Sequence, residues 1–285
     1  MKRKDMAHSL FRFAESLYNV PHLIQAEAAT AILDYINYRN SPDFSSTLVV
    51  KDKEPAAAQK LDKIGEIQVD GALTYKPVVG ACGGVTGVSY QGILDQAQML
   101  IDDGITTLIT VHSSPGGQAS HCFSTANDLR AMCDEAGVKW YAYIDTLSAS
   151  ASLALNVAAD EVIIHPDAST GSVGCVVALL DKSKAFEMNG IKPIYISSTP
   201  GKTPFAEDGS FSKEFLSEMQ DEVTRLGNQF ATHVSNYTGV PVDDILAMDA
   251  KMFHAEAALE AGLVNKIMDH KQFSAYVAEQ HKGKQ

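Results

Sequence analysis

The chain lacks most of the features that would send a reader toward secretion, membranes, metals or nucleic acid. It has four cysteines, Cys82, Cys122, Cys133 and Cys175, with neither CxxC spacing nor the density of a disulfide scaffold, so they read as reduced thiols. Positive charge is scarce: 23 Lys and Arg face 35 Asp and Glu, for a net charge of -12. Nucleic-acid binding needs a basic surface, so nucleic acid is not an expected partner. No uninterrupted apolar run approaches the roughly 20 residues that span a bilayer. The opening MKRKDMAHSLFRFAESLYNVPHLI starts basic, but Arg12 and Glu15 break any signal-peptide core. The expectation is a cytoplasmic chain, neither secreted nor membrane-anchored. A GxxxxGK[ST] phosphate loop is missing, and none of the nine histidines has metal-site or Ser-His-Asp spacing. No metal or organic cofactor is expected.

What is present is a globular composition, 285 residues with 45% hydrophobic side chains, enough for a substantial core. Residues 1–40 read as a helical arm of two short helices parted at Pro21, with Leu23, Ala26, Ala29, Ile32 or Leu33, and Ile36 at helical spacing. Residues 41–63 read as a linker, and 271–285 as a polar tail. Between them, from 64 to 270, strands and helices alternate. IGEIQVDG is a strand, and the stretch holding Gly80, Gly83, Gly84 and Gly87 reads as a loop bordering a cleft. A helix over 90–101, a strand over 105–113, a helix over 119–136 and a strand over 138–144 follow. Farther on, a helix is expected at 181–189, a strand at 192–197 and a long helix at 212–237. In that last helix Phe215, Met219, Val223, Leu226, Phe230, Val234 and Tyr237 make a continuous apolar stripe, which marks core or subunit interface.

Three places carry possible chemistry. Ser150 follows the strand VKWYAYI and opens the small-residue run up to Asp160, which sets its hydroxyl at a helix N-terminus among free N–H groups. The strand ITTLITVHS runs straight into SPGG, where Gly116 and Gly117 leave backbone donors free of side-chain bulk, as an oxyanion hole requires. Taken alone, Ser150 is an ordinary cap and SPGG an ordinary turn. As the ends of successive parallel strands, they are expected side by side at the carboxyl edge of one sheet. Lys202 lies in a loop between Pro200 and Pro204; alone, it reads as a solvated lysine.

TVHSSPGGQA, the run from ASAS to AAD, TGSVG, the PGK loop and FHAEAALEAGLVNKI occur in the order seen in the signal peptide peptidase A family of Ser-Lys peptidases. Residues 64–270 resemble that family, and SNYTGVPVDDIL resembles its phage branch. The resemblance implies an α/β fold of the crotonase-like, caseinolytic-protease-like kind, a spiral of ββα units, here with the N-terminal helical arm added. It implies Ser150 as nucleophile, ten residues before Asp160, and Lys202 as general base, 52 residues further on. It implies oxyanion donors at Ala151 and at Gly116 or Gly117, with the choice of glycine open. The family's usual Ser-Gly-Gly is Ser150-Ala151-Ser152 here, so Ala151 can serve only if its φ is negative.

The implied chemistry is acyl transfer without histidine. A neutral lysine takes the serine proton during attack and later activates the deacylating water. A lysine does this near neutral pH only where desolvation brings its pKa from about 10.4 to roughly 7 to 8. The resemblance further implies a homo-oligomeric ring in which serine and lysine converge across subunits. It implies protein substrates among phage scaffold, portal or capsid proteins, met in the host cytoplasm or the prohead. A cytosolic peptide-degrading peptidase and a catalytically silent scaffold-docking head protein are the alternatives.

Overall fold

The computed structural model describes residues 21–25, 57–79, 85–86 and 88–282. The chain first forms β1 (His22–Ile24), then the antiparallel pair β2 (Gln59–Leu61) and β3 (Ile64–Asp70). Short strands β4 (Leu73–Thr74), β5 (Val78–Val79), β6 (Val85–Thr86) and β7 (Val88–Ser89) lead into α1 (Tyr90–Asp102). Ser89 caps that helix by accepting from the Gly92 N–H at 3.0 Å, and Ile93, Ala97 and Leu100 form its buried face. The β-branched run TLITVHSS makes β8 (Thr107–Ser114), followed by β9 (Gly116–Gln118) and α2 (Cys122–Ala136). Gly137 ends α2 in the left-handed conformation, and β10 (Lys139–Ala149) returns parallel to β8 and passes into α3 (Ala151–Asn156).

A repeated unit is visible in this order. β3 joins a sheet of eight strands, β4 a second sheet of four, and a helix follows; β8, β9 and α2 repeat the pattern. The ββα unit expected from the resemblance is therefore present, and the α/β class follows from the parallel β3, β8 and β10 with their crossover helices. β11 (Glu161–Ile164) and β12 (Ser169–Gly171) both pair parallel with β10 along its length. One large apolar cluster, including Leu73, Ile93, Leu129, Trp140, Leu155 and Phe230, fills the space among α1, α2, α3, the sheets and the second half of the long helix.

After β12 come α4 (Ser183–Met188), a single 3-10 turn at Pro200–Lys202, and α5 (Lys213–Thr238), capped by Ser212 and closed by left-handed Gly239 as the sequence suggests. The chain finishes with α6 (Val242–Ala247), β13 (Met252–His254), α7 (Ala255–Glu260), β14 (Lys266–Ile267) and α8 (His270–Lys282). The tail is helical and not merely polar, for Phe273 and Val277 are buried against Tyr141 and Tyr143 on the outer face of the large sheet.

Three expectations need correction. The stretch 41–63 is not linker to its end, for Gln59–Leu61 pairs antiparallel with β3 and belongs to the large sheet. Leu23 does not begin a helix: His22–Ile24 is a strand antiparallel to β9, and Leu23 is fully buried. At this end of the spaced positions, an available sheet edge outweighs weak helical spacing. The remainder of the arm falls outside the described residues, as do Gly80, Gly83, Gly84 and Gly87. The strand expected at 192–197 is also absent; the segment is irregular, with Ile194 79% and Ile196 96% exposed. Among the described residues no sheet edge pairs with it, so Ile194 and Ile196 stay uncovered.

Candidate active site

β8 and β10 are neighbours in register, with Ser114 opposite Ser148, so the turns that follow them sit side by side. From β8 the chain enters Pro115-Gly116-Gly117; from β10 it turns through Ser150 into α3. Ser150 carries φ 54° and ψ -115°, a backbone region that a residue with a Cβ rarely adopts. The turn is held by Ser150 N donating to the Gly171 carbonyl at 2.8 Å and by Ala154 N donating back to the Ser150 carbonyl at 2.9 Å. The Ser150 hydroxyl makes no helix cap; its contact is the Gly174 carbonyl at 3.5 Å. A strained serine on a sharp strand-to-helix turn, its hydroxyl held by one long hydrogen bond, is the geometry used to present nucleophiles.

Ala151 opens α3 and does not share the positive φ of Ser150, so its N–H belongs to the unsatisfied first turn. Gly116, with φ +97°, comes against it: a Cβ there would lie 3.1 Å from Ala151 N and 2.9 Å from the Ala149 carbonyl, and would collide with the Leu23 carbonyl. Gly117 faces elsewhere, for a Cβ on it would strike the Leu73 backbone in β4, within 2.6 Å of Leu73 N. Of the two glycines, Gly116 is thus the one beside the N-terminus of α3.

Behind Ser150 lies a polar network that sequence reasoning missed. His112 Nδ1 is 2.9 Å from Ser152 Oγ, and its Nε2 is 3.0 Å from Thr110 Oγ1. Asn156 Nδ2 donates to Ser148 Oγ at 2.7 Å, Ser148 and Ser152 hydroxyls are 2.7 Å apart, and Trp140 Nε1 donates to Thr110 at 3.0 Å. One direction of donation, Asn156 to Ser148 to Ser152 to His112 to Thr110, satisfies these links with a neutral imidazole. Burial pushes the His112 pKa down to about 3, so it stays neutral. A signal was available: Thr110, His112 and Ser114 alternate in β8, which puts three polar groups on one buried strand face.

Asp160, the residue that ends the serine segment, ties the end of that segment to the start of β10 and to α2. It accepts from Trp140 N at 2.7 Å and pairs with Arg130 at 3.0 Å and Lys139 at 3.2 Å. Burial alone would raise its pKa; these donors and cations outweigh burial and hold it below the usual value.

Lys202 is not brought to Ser150 within this chain. It ends the 3-10 turn, exposed, and among the described residues no hydrogen bond or ion pair joins it to the serine. Around it, Tyr195, Phe205, Phe211 and Phe215 stack in sequence with ring centroids 4.7, 5.3 and 5.5 Å apart, tying the lysine loop to the start of α5. No group of metal-ligating side chains occurs among the described residues, and no helix there is long and apolar enough to cross a membrane.

Residues 133–284, more than half of the sequence, match the model of peptidase family S49. The chain belongs to peptidase family S49. Two curated relatives share this region: capsid assembly protease C of Escherichia phage lambda, 25% identical over 219 residues, and head-tail preconnector protein GP5 of Enterobacteria phage P21, 24% identical over 220 residues. Each alignment takes in 76% of this chain but only 49% and 43% of the two relatives, so this S49 chain spans about half the length of the curated relatives it matches. Among solved structures, a point mutant of ClpP1 from Listeria monocytogenes aligns over 72% of this chain and 91% of its own, at 11% identity and a TM-score of 0.44, a likeness too loose to carry an argument.

Proposed function

We propose that this S49 chain is a serine endopeptidase of phage head maturation, with Ser150 as nucleophile and Lys202 as general base. The observation that carries the reading is the strained, uncapped Ser150 at the N-terminus of α3, faced by Gly116 across the Ala151 N–H. In the reaction the Ser150 oxygen attacks a peptide carbonyl while its proton passes to the lysine amine. The Ala151 N–H receives the developing oxyanion together with the Gly116 N–H, which turns from the Ser114 hydroxyl it meets at 3.2 Å, and the protonated lysine then returns its proton to the leaving amine. Water repeats the sequence to release the acyl group.

Lys202 reaches the serine from a second copy of the chain. In support, Lys202 is exposed, and Met188 (87%), Ile194 and Ile196 in the stretch of chain that leads to it are exposed too, so this segment carries uncovered apolar surface. Burying that surface against a neighbour in a ring supplies the desolvation a lysine base needs. Phage scaffold, portal or capsid proteins are the proposed substrates, since both curated relatives carry head-protein names. Incubation of the purified chain with the head proteins encoded beside it, followed by intact-mass analysis, tests this. Defined cleavage products are expected; head proteins that are bound and left whole would favour a scaffold-docking role.

A further inference from the structure

The sheet edge leading to Ser150 is already occupied. β1 lies between two antiparallel neighbours: β9 on one side, with Leu23 opposite Gly117 and Ile24 opposite Gly116, and Val176 on the other. His22 and Val176 exchange both backbone bonds, at 2.8 and 2.9 Å. The pairing extends beyond the strand, for Ala119 N donates to the Pro21 carbonyl at 3.3 Å and Gln25 N to the Pro115 carbonyl at 2.9 Å. Residues 21–25 are therefore clamped in extended form from both sides.

The direction of this segment matters. It runs so that its C-terminal end, Gln25, arrives at Pro115, next to Gly116 and the Ala151 N–H. A peptide that offers a carbonyl to those donors must come in as such a strand. Leu23 is fully buried in the main apolar cluster, and Ser150 itself has 0% exposure. A nucleophile for protein substrates cannot work while closed off in this way.

We propose that the groove between Gly116–Gln118 and Val176 is the docking site for an extended strand of the protein substrate, and that residues 21–25 are its resident occupant, displaced before Ser150 is reached. The proposal rests on the peptidase reading above. Backbone pairing along both edges gives affinity for any extended strand, and the cavity filled by Leu23 gives preference for an apolar side chain at that position. Because the resident strand is tethered, it competes at high effective concentration, so a free peptide is disfavoured relative to a protein held alongside the enzyme.

His22 and Gln118 face each other at a non-hydrogen-bonded position of the ladder, where a disulfide can lock β1 in place. The test is His22→Cys with Gln118→Cys in the full chain, with the parent oxidised in parallel to control for its native thiols. Two readouts are taken, with and without reductant. One is cleavage of a protein substrate. The other is anisotropy of a fluorescent NVPHLIQAE peptide, the sequence of residues 19–27, binding to the same pair made in a Ser150→Ala chain. The proposal predicts that oxidation weakens peptide binding and lowers turnover by at least about tenfold, as removal of the open state requires, and that reductant restores both. Equal binding and equal turnover in the two redox states, or no peptide binding in the reduced state, would overturn it and make β1 a permanent wall. A parent that cleaves nothing counts against the peptidase reading, and the binding readout still decides the groove.

Discussion

His112 places its Nδ1 2.9 Å from the hydroxyl of Ser152, two residues beyond Ser150, and so serves the turn that carries the serine instead of the serine itself. With the His112 pKa pushed to about 3 by burial, the imidazole is neutral and acts as a fixed hydrogen-bonding strut.

A pH dependence of stability follows. The folded pKa of His112 lies below the unfolded value of about 6.5, so below that pH the unfolded chain takes up a proton that the folded chain refuses. Stability from this group is complete above about pH 6.5 and falls by up to about 1.4 kcal/mol per pH unit on acidification, down to the folded pKa. Urea unfolding from pH 7 to 5 is expected to show a shallower loss in His112→Gln than in the parent. Parallel slopes would contradict the assignment.

Strain at Ser150 predicts a second effect. A residue at φ 54°, ψ -115° costs about 1 to 3 kcal/mol that glycine avoids. Ser150→Gly is therefore expected to be inactive yet more stable than Ser150→Ala by about 1 kcal/mol or more in denaturant unfolding.

The two glycines after Pro115 should separate by readout. Gly116→Ala pushes a methyl toward Ala151 N, and turnover per folded molecule is expected to drop by about a hundredfold or more, the usual cost of a lost oxyanion donor. Gly117→Ala forces apart β9 and β4 at Leu73, so its effect appears as lost stability. Cleavage normalised to the folded fraction distinguishes them, and unchanged normalised turnover in Gly116→Ala would remove that glycine from the site.

Asp160→Ala removes the acceptor of the Trp140 N–H and the partner of Lys139, and leaves Arg130 with Asp134, at 2.7 Å, as its ion pair. A loss of about 2 kcal/mol is expected by thermal or urea unfolding. Its effect on catalysis is indirect, since its partners lie at the start of β10 and on α2.

The sequence made the alternation of strands and helices legible because β-branched runs such as TLITVHSS and the α5 stripe from Phe215 to Tyr237 have unambiguous periods. The juxtaposition of SPGG and Ser150 was also legible, since both end adjacent parallel strands. What escaped notice depends on contacts distant in sequence. β1 is a strand only because the Gly116–Gln118 edge receives it, and His112 matters only because α3 sets Ser152 above it. The segment 192–197 has strand composition without a partner edge among the described residues, so composition alone misassigned it.

The central claim is a Ser150–Lys202 dyad completed between copies of the chain, and mixing inactive variants tests it most directly. Ser150→Ala and Lys202→Ala are each assayed alone for cleavage of a head protein, then co-refolded in equal amounts. The account predicts no cleavage by either alone and recovery of about a quarter of parental turnover in the mixture, the share of shared sites that draw an intact serine and an intact lysine from different subunits. Activity in either variant alone, or a mixture as silent as its parts beside a fully active parent, would contradict it.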